Sequence, residues 1–112
     1  MIGREFLADF VGCDKKSLQN KEELERILLK SVTDAKATII DKKFYKFTTG
    51  GKGVTGYILL AESHVSIHTY PEKKFAVVDV FACGKLDANY ILKSIMEQLP
   101  HKSVKIKKIS RG

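Results

Sequence analysis

Apolar and polar positions alternate along the chain in patterns that mark eight elements. In Arg4–Val11, Phe6, Ala8 and Phe10 recur at period two, which predicts a strand with one buried face. Gly12–Asn20 carries no period and reads as a connection. Asn20 followed by Glu23 has the spacing of a capping box, and Leu24, Ile27, Leu28 and Val32 then line one face of a helix ending near Ala35. Ala37–Phe47, rich in Thr, Ile, Phe and Tyr, predicts a strand running into Thr-Thr-Gly-Gly-Lys-Gly, a hairpin loop that needs positive φ. Gly53–Ala61 and His64–Tyr70 read as further strands, the latter stopped by Pro71. Lys74–Ala82 has the strongest strand pattern, with Ala76, Val78, Val80 and Ala82 on one side, and Cys83-Gly84 closes it. Leu86–Leu99 places Ala88, Ile91, Leu92, Ile95 and Leu99 on one helical face; Pro100 breaks it, and Val104–Ile109 is a last strand. The order β-α-β-β-β-β-α-β predicts an α+β fold: one antiparallel-rich sheet with two helices packed on one face. With no repeat, low-complexity stretch or linker, residues 1–112 form one domain.

Composition narrows the class. A chain of 112 residues buries a limited share of its unfolded surface, so association of subunits would help it. At 44% hydrophobic and 29% charged it is ordinary globular material, which excludes disordered and collagen-like chains. No apolar run approaches the ~20 residues of a membrane span, and the first residues lack the apolar stretch of a signal peptide, so no membrane partner is expected. Cys13 and Cys83 are too few and too distant for a disulfide framework or a zinc ribbon, which points to the reducing cytoplasm.

The net charge of +7 is uneven: residues 1–62 hold eleven Lys/Arg against nine Asp/Glu, residues 63–112 nine against four. Five of those nine positives lie in the acid-free tail HKSVKIKKISRG. A basic RNA-binding domain is one reading of this tail. A solvated edge strand whose lysines block strand addition is the other, and the lack of interleaved aromatics favours it, so no nucleic-acid partner is expected.

Among candidate chemical groups, His64 and His68 have a spacing that chelates a metal on a helix. On a strand the same spacing spans roughly 13 Å, too far for one ion, so no metal site is expected. His101 lies in a turn beside Pro100. Polar groups crowd Glu62-Ser63-His64-Val65-Ser66-Ile67-His68-Thr69-Tyr70-Pro71-Glu72 between two core strands. Residue types alone leave two readings of that crowding: the wet face of a strand, or a nucleophile with its base. Cys83 likewise reads as packing or as a reactive thiol.

Residues 61–84, AESHVSIHTYPEKKFAVVDVFACG, resemble the processing and active-site region of the prokaryotic S-adenosylmethionine decarboxylase proenzymes. Gly3-Arg4, Asp9-Phe10 and Cys13-Asp14 resemble the family's N-terminal pattern. Lys36-Ala37-Thr38 and Gly53-Val54-Thr55-Gly56 resemble two further family segments, so the likeness covers nearly the whole chain. It implies a self-processing enzyme, cut between Glu62 and Ser63 into chains 1–62 and 63–112, with a pyruvoyl group derived from Ser63. Ser63 Oγ would attack the Glu62 carbonyl, with His68 as proton acceptor and the Thr55 hydroxyl in support. This chain has Thr at position 55 where Ser is common. The ketone would then condense with the substrate's α-amine as a Schiff base and act as electron sink, as pyridoxal phosphate does, which makes pyridoxal phosphate redundant. Cys83 matches the proton donor of decarboxylation, Glu72 the carboxylate that binds ribose hydroxyls, and Tyr70 an aromatic position where Trp is usual. Phe47 could stack on adenine across a loop two residues longer than usual, beside an added Lys52. Two substrates follow from the resemblance: S-adenosylmethionine first, supplying an aminopropyl donor for spermidine and polyamine synthesis, and arginine or ornithine second. A homodimer of processed protomers is the expected assembly.

Overall fold

A computed structural model describes residues 1–112. Six strands form one antiparallel sheet: β1 (Gly3–Val11), β2 (Ile39–Lys46), β3 (Val54–Leu60), β4 (Ser63–Tyr70), β5 (Phe75–Cys83) and β6 (Ser103–Arg111). Their order across the sheet is β2-β3-β4-β5-β1-β6. Three helices, α1 (Lys15–Leu18), α2 (Lys21–Asp34) and α3 (Ala88–Gln98), connect the strands, with a 3-10 turn at Pro71–Lys73 between β4 and β5.

The elements form where burial demands them. Phe6, Ala8 and Phe10 of β1, Val65 and Ile67 of β4, and Ala76, Val78 and Val80 of β5 are buried on one face of the sheet. Leu24, Ile27, Leu28 and Val32 of α2, with Ala88, Ile91, Leu92 and Ile95 of α3, cover that face. This is one contiguous core of 24 buried hydrophobic residues, and it makes the fold α+β with its helices on a single side. Helix α2 lies over β2 and β3, and α3 over β1 and β5. Between the two helices, Ser31 hydrogen-bonds Ser94 (3.0 Å) and receives the Gln98 amide (3.2 Å), so this buried hydroxyl is satisfied.

Two local expectations need correction. Gly12–Asn20 is more than a connection, because Asp14 caps the single turn of α1 by accepting Ser17 N–H (3.0 Å) and Ser17 Oγ–H (2.9 Å). Those bonds hold the Asp14 carboxyl below its ordinary range. Only half of the capping box forms at α2: Asn20 accepts Glu23 N–H (3.1 Å), but the Glu23 carboxylate pairs with Arg26 instead of reaching back. The hairpin loop does require positive φ, at Gly50 (+59°) and at Lys52 (+58°). No helix is long and apolar enough to cross a membrane.

The opposite face of the sheet carries no helix. It presents Leu7 and Val11 of β1, Tyr57 and Leu59 of β3, and Val77 and Phe81 of β5, none of them buried. Polar groups stand among them, including His64, Ser66 and His68 of β4 and Asp79 of β5. Strand β4 lies inside this sheet, paired to β3 on one side and to β5 on the other.

Candidate active site

Strand β4 begins at Ser63, directly after a two-residue turn from β3. Glu62, the last residue of that turn, adopts φ +59°, in the left-handed region. For a residue with a Cβ this costs on the order of 1–2 kcal/mol, so the Glu62–Ser63 link follows a strained residue. Ser63 is buried, in phase with Val65 and Ile67, and its hydroxyl is held by the end of β5. Its Oγ accepts the Cys83 N–H (3.1 Å) and directs its own proton at Cys83 Sγ (3.7 Å). The Cys83 thiol donates to the Glu62 carbonyl oxygen (3.1 Å). One thiol therefore touches both the hydroxyl and the carbonyl of the bond expected to rearrange.

A cavity of about 710 Å³ opens at this end of the sheet. Besides Glu62 and Ser63 it is lined by His64, Phe81, Glu5 and Arg111. Arg111 pairs with Glu5 (2.6 Å), and His64 stacks on Phe81 with ring centroids 6.0 Å apart. Of these four, only His64 was weighed from sequence, and then only as a metal ligand. The signal available for two of them was register: His64 pairs opposite Phe81 one position beyond Ser63.

Thr55 and His68 are direct cross-strand partners of β3 and β4, with Thr55 Oγ1 and His68 Nδ1 hydrogen-bonded at 2.9 Å. Tyr70, Glu72 and Phe47 join them around a second cavity of about 350 Å³. Phe47 packs edge-on to Tyr45 at 4.9 Å, and Tyr70 lies 6.4 Å from Phe75.

The expected constellation is thus divided in two. Ser63, Glu62 and Cys83 come together, as do Thr55, His68, Tyr70, Glu72 and Phe47, but the two groups do not meet. His68 is five residues along β4 from Ser63, roughly 17 Å on an extended strand, and an odd separation puts it on the opposite face. Within a single chain, therefore, His68 and Thr55 do not stand beside Ser63.

The two cysteines also differ. Burial pushes the Cys13 thiol up to about 11, which makes it an inert core residue. Cys83 is only partly buried and lies against Ser63 and the Glu62 carbonyl. On the open face, burial and the neighbouring Glu5 carboxylate raise the Asp79 carboxyl above its ordinary value, opposed by His64 and His68.

A serine hydroxyl and a thiol gathered on a strained acyl link suit a chain that cuts itself, and comparison with known proteins agrees. The family model described as S-adenosylmethionine decarboxylase matches residues 4–112. The S-adenosylmethionine decarboxylase proenzyme of Caldicellulosiruptor saccharolyticus is 38% identical over 112 residues, covering 99% of this chain and 89% of the relative. The proenzyme of the same name from Clostridium tetani is also 38% identical, covering 99% and 87%. The crystal structure of the adenosylmethionine decarboxylase from Aquifex aeolicus superposes with a TM-score of 0.89 at 36% identity, covering 99% of this chain and 91% of that one. Matched across all but its first three residues, and alike in fold as well as sequence, the chain belongs to the S-adenosylmethionine decarboxylase family.

Proposed function

We propose that this chain is a self-processing, pyruvoyl-dependent S-adenosylmethionine decarboxylase, with Ser63 as pyruvoyl precursor, His68 as processing base and Cys83 as proton donor. The observation that carries the reading is the Glu62–Ser63–Cys83 cluster. Left-handed strain at Glu62 raises the energy of the intact link. The Cys83 thiol polarises the Glu62 carbonyl, and the Ser63 hydroxyl is fixed by the Cys83 N–H. Addition of Ser63 Oγ to the Glu62 carbonyl carbon, with breakage of the C–N bond, converts the amide to an ester. Elimination of the Glu62 carboxylate, with uptake of water and loss of ammonia, leaves chains 1–62 and 63–112 and a ketone at position 63. The residues present fit that group, since a buried serine with an adjacent thiol lines a cavity able to admit a substrate. The ketone supplies an electron sink for loss of carbon dioxide from a bound amino acid. The Cys83 thiol, already at position 63, returns a proton to the substrate's Cα. Glu72, Tyr70 and Phe47 bind the nucleoside part of S-adenosylmethionine.

The same geometry supports a homodimer. Two copies packing their open faces about a two-fold axis bring the His68 end of each against the Ser63 end of the other, so each supplies the proton acceptor its partner lacks. The half-exposed apolar residues of that face support such a contact. Reduced Cys83 suits a cytoplasmic location. Decarboxylated S-adenosylmethionine would then serve as an aminopropyl donor in polyamine synthesis.

Denaturing mass spectrometry of the purified protein tests processing. Two chains are expected, with masses summing to the precursor plus water minus ammonia, and a Ser63→Ala chain that stays whole. Release of carbon dioxide from S-adenosylmethionine, and not from arginine or ornithine, tests the substrate. An active enzyme whose Glu62–Ser63 link stays intact contradicts the reading.

A further inference from the structure

The region between β1 and α2 has no period in the sequence, yet it is fastened firmly to the far half-site. Thr69, buried at the end of β4, donates its hydroxyl to the Leu18 carbonyl (2.7 Å) and accepts the Val54 N–H (2.8 Å). One residue beyond Leu18, the Gln19 side-chain amide donates to the Gly51 carbonyl (3.0 Å) in a partly buried contact. Gln19 is the one side chain that hydrogen-bonds the loop of residues 48–53.

Gly51 rests against Glu72. A Cβ at Gly51 would lie 2.8 Å from Glu72 Cδ and would overlap a carboxylate oxygen. Gly50 and Lys52 on either side take positive φ, but Gly51 does not. Glycine at position 51 therefore leaves room for the Glu72 carboxylate; it is not there to make the turn. The Gly51 backbone is held by Gln19 through its carbonyl and abuts Glu72 through the space its missing side chain leaves.

We infer that Gln19 is a positioning residue for Glu72: by holding Gly51 it sets the surface on which that carboxylate rests, and so its aim into the cavity shared with Thr55, His68 and Tyr70. This rests on the reading of Glu72 as a substrate-binding carboxylate. The one-turn helix α1 then has a use, since its capped turn brings Leu18 and Gln19 to the two points where the half-site is anchored.

Steady-state decarboxylation of S-adenosylmethionine by fully cleaved enzyme tests the inference. Gln19→Leu keeps much of the side-chain volume and removes the donor. It is expected to raise KM about threefold to tenfold, the loss of one hydrogen bond, with kcat and the extent of cleavage unchanged. In a Glu72→Ala background the same substitution should add nothing, whereas general loosening of the fold would raise KM equally in both. Gly51→Ala should raise KM by crowding Glu72, and adding Glu72→Asp, one methylene shorter, should recover part of the loss. That pair decides the matter should Gln19→Leu fail to fold. Unchanged KM in Gln19→Leu, equal effects in both backgrounds, or no recovery in the Gly51→Ala/Glu72→Asp enzyme overturns the role of Gln19. Failure of the unaltered protein to decarboxylate S-adenosylmethionine overturns the proposed function, and the role of Gln19 with it.

Discussion

Strand β4 has two chemically charged ends, and they are held in different ways. At the Ser63 end the backbone leaves the ladder through a left-handed Glu62, and the serine is buried with its hydroxyl bonded to Cys83. At the other end His68 is exposed on a regular ladder and has one side-chain partner, Thr55. The proposed scissile link follows a strained residue and leads into a buried serine, whereas the proposed proton acceptor stands in the open. Ser63 and His68, on opposite faces of one strand, do not meet within a single chain, and that division is what favours the proposed assembly.

The largest expected effect breaks that division. Ser63→Ala and His68→Ala chains each remain uncleaved alone; mixed by co-expression, the His68→Ala chain should be cut, because it keeps its own Ser63 and borrows His68 from its partner. Mass spectrometry reads the outcome, and a mixture in which neither chain is cut would tie His68 to its own polypeptide or to no role. Next, Cys83→Ala removes groups on one side only. It should lower kcat by about 100-fold or more through the missing proton donor, and should also slow cleavage by leaving the Glu62 carbonyl unpolarised. Glu62→Gly relieves the left-handed strain without moving the chain. If about 1 kcal/mol of that strain assists cleavage, the half-time should lengthen about fivefold while the precursor melts at a slightly higher temperature.

The smallest effect concerns the ground between the two ends. Asp79 lies opposite Ser66 and Leu7 in the neighbouring ladders, and its folded pKa is raised above the ordinary 3.8. A carboxyl shifted this way binds its proton more tightly folded than unfolded. Its contribution is most favourable below 3.8 and is lost as pH rises through the folded value. Asp79→Asn should therefore flatten a shallow decline in melting temperature just above that pH, and an unchanged pH profile would deny Asp79 this influence.

Much of this was readable in the sequence because burial imposes period. Phe6, Ala8 and Phe10, or Ala76, Val78 and Val80, declare a strand since each faces the same helices. Helix α1 was missed for the converse reason: four residues make one turn, and one turn has no period to detect. The site residues were suggested by family resemblance, but their arrangement was not. Strand spacing, which ruled out His64 and His68 as ligands of one metal, also separates Ser63 from His68 by an odd number of positions. Applied to that pair, it would have shown the two half-sites in advance. Gln19 and Gly51 were beyond reach, because nothing local links positions 32 apart.

Strand order carries a consequence for the mature protein. With the proposed cut between Glu62 and Ser63, β2 and β3 belong to the first fragment, β4 and β5 to the second, β1 to the first again and β6 to the second. Each fragment is threaded through the other's hydrogen bonding, with β1 gripped between β5 and β6. Severing the backbone frees neither piece: they can part only by breaking three of the five ladders, β3–β4, β5–β1 and β1–β6, so the pair should melt in a single cooperative step and never shed one fragment alone.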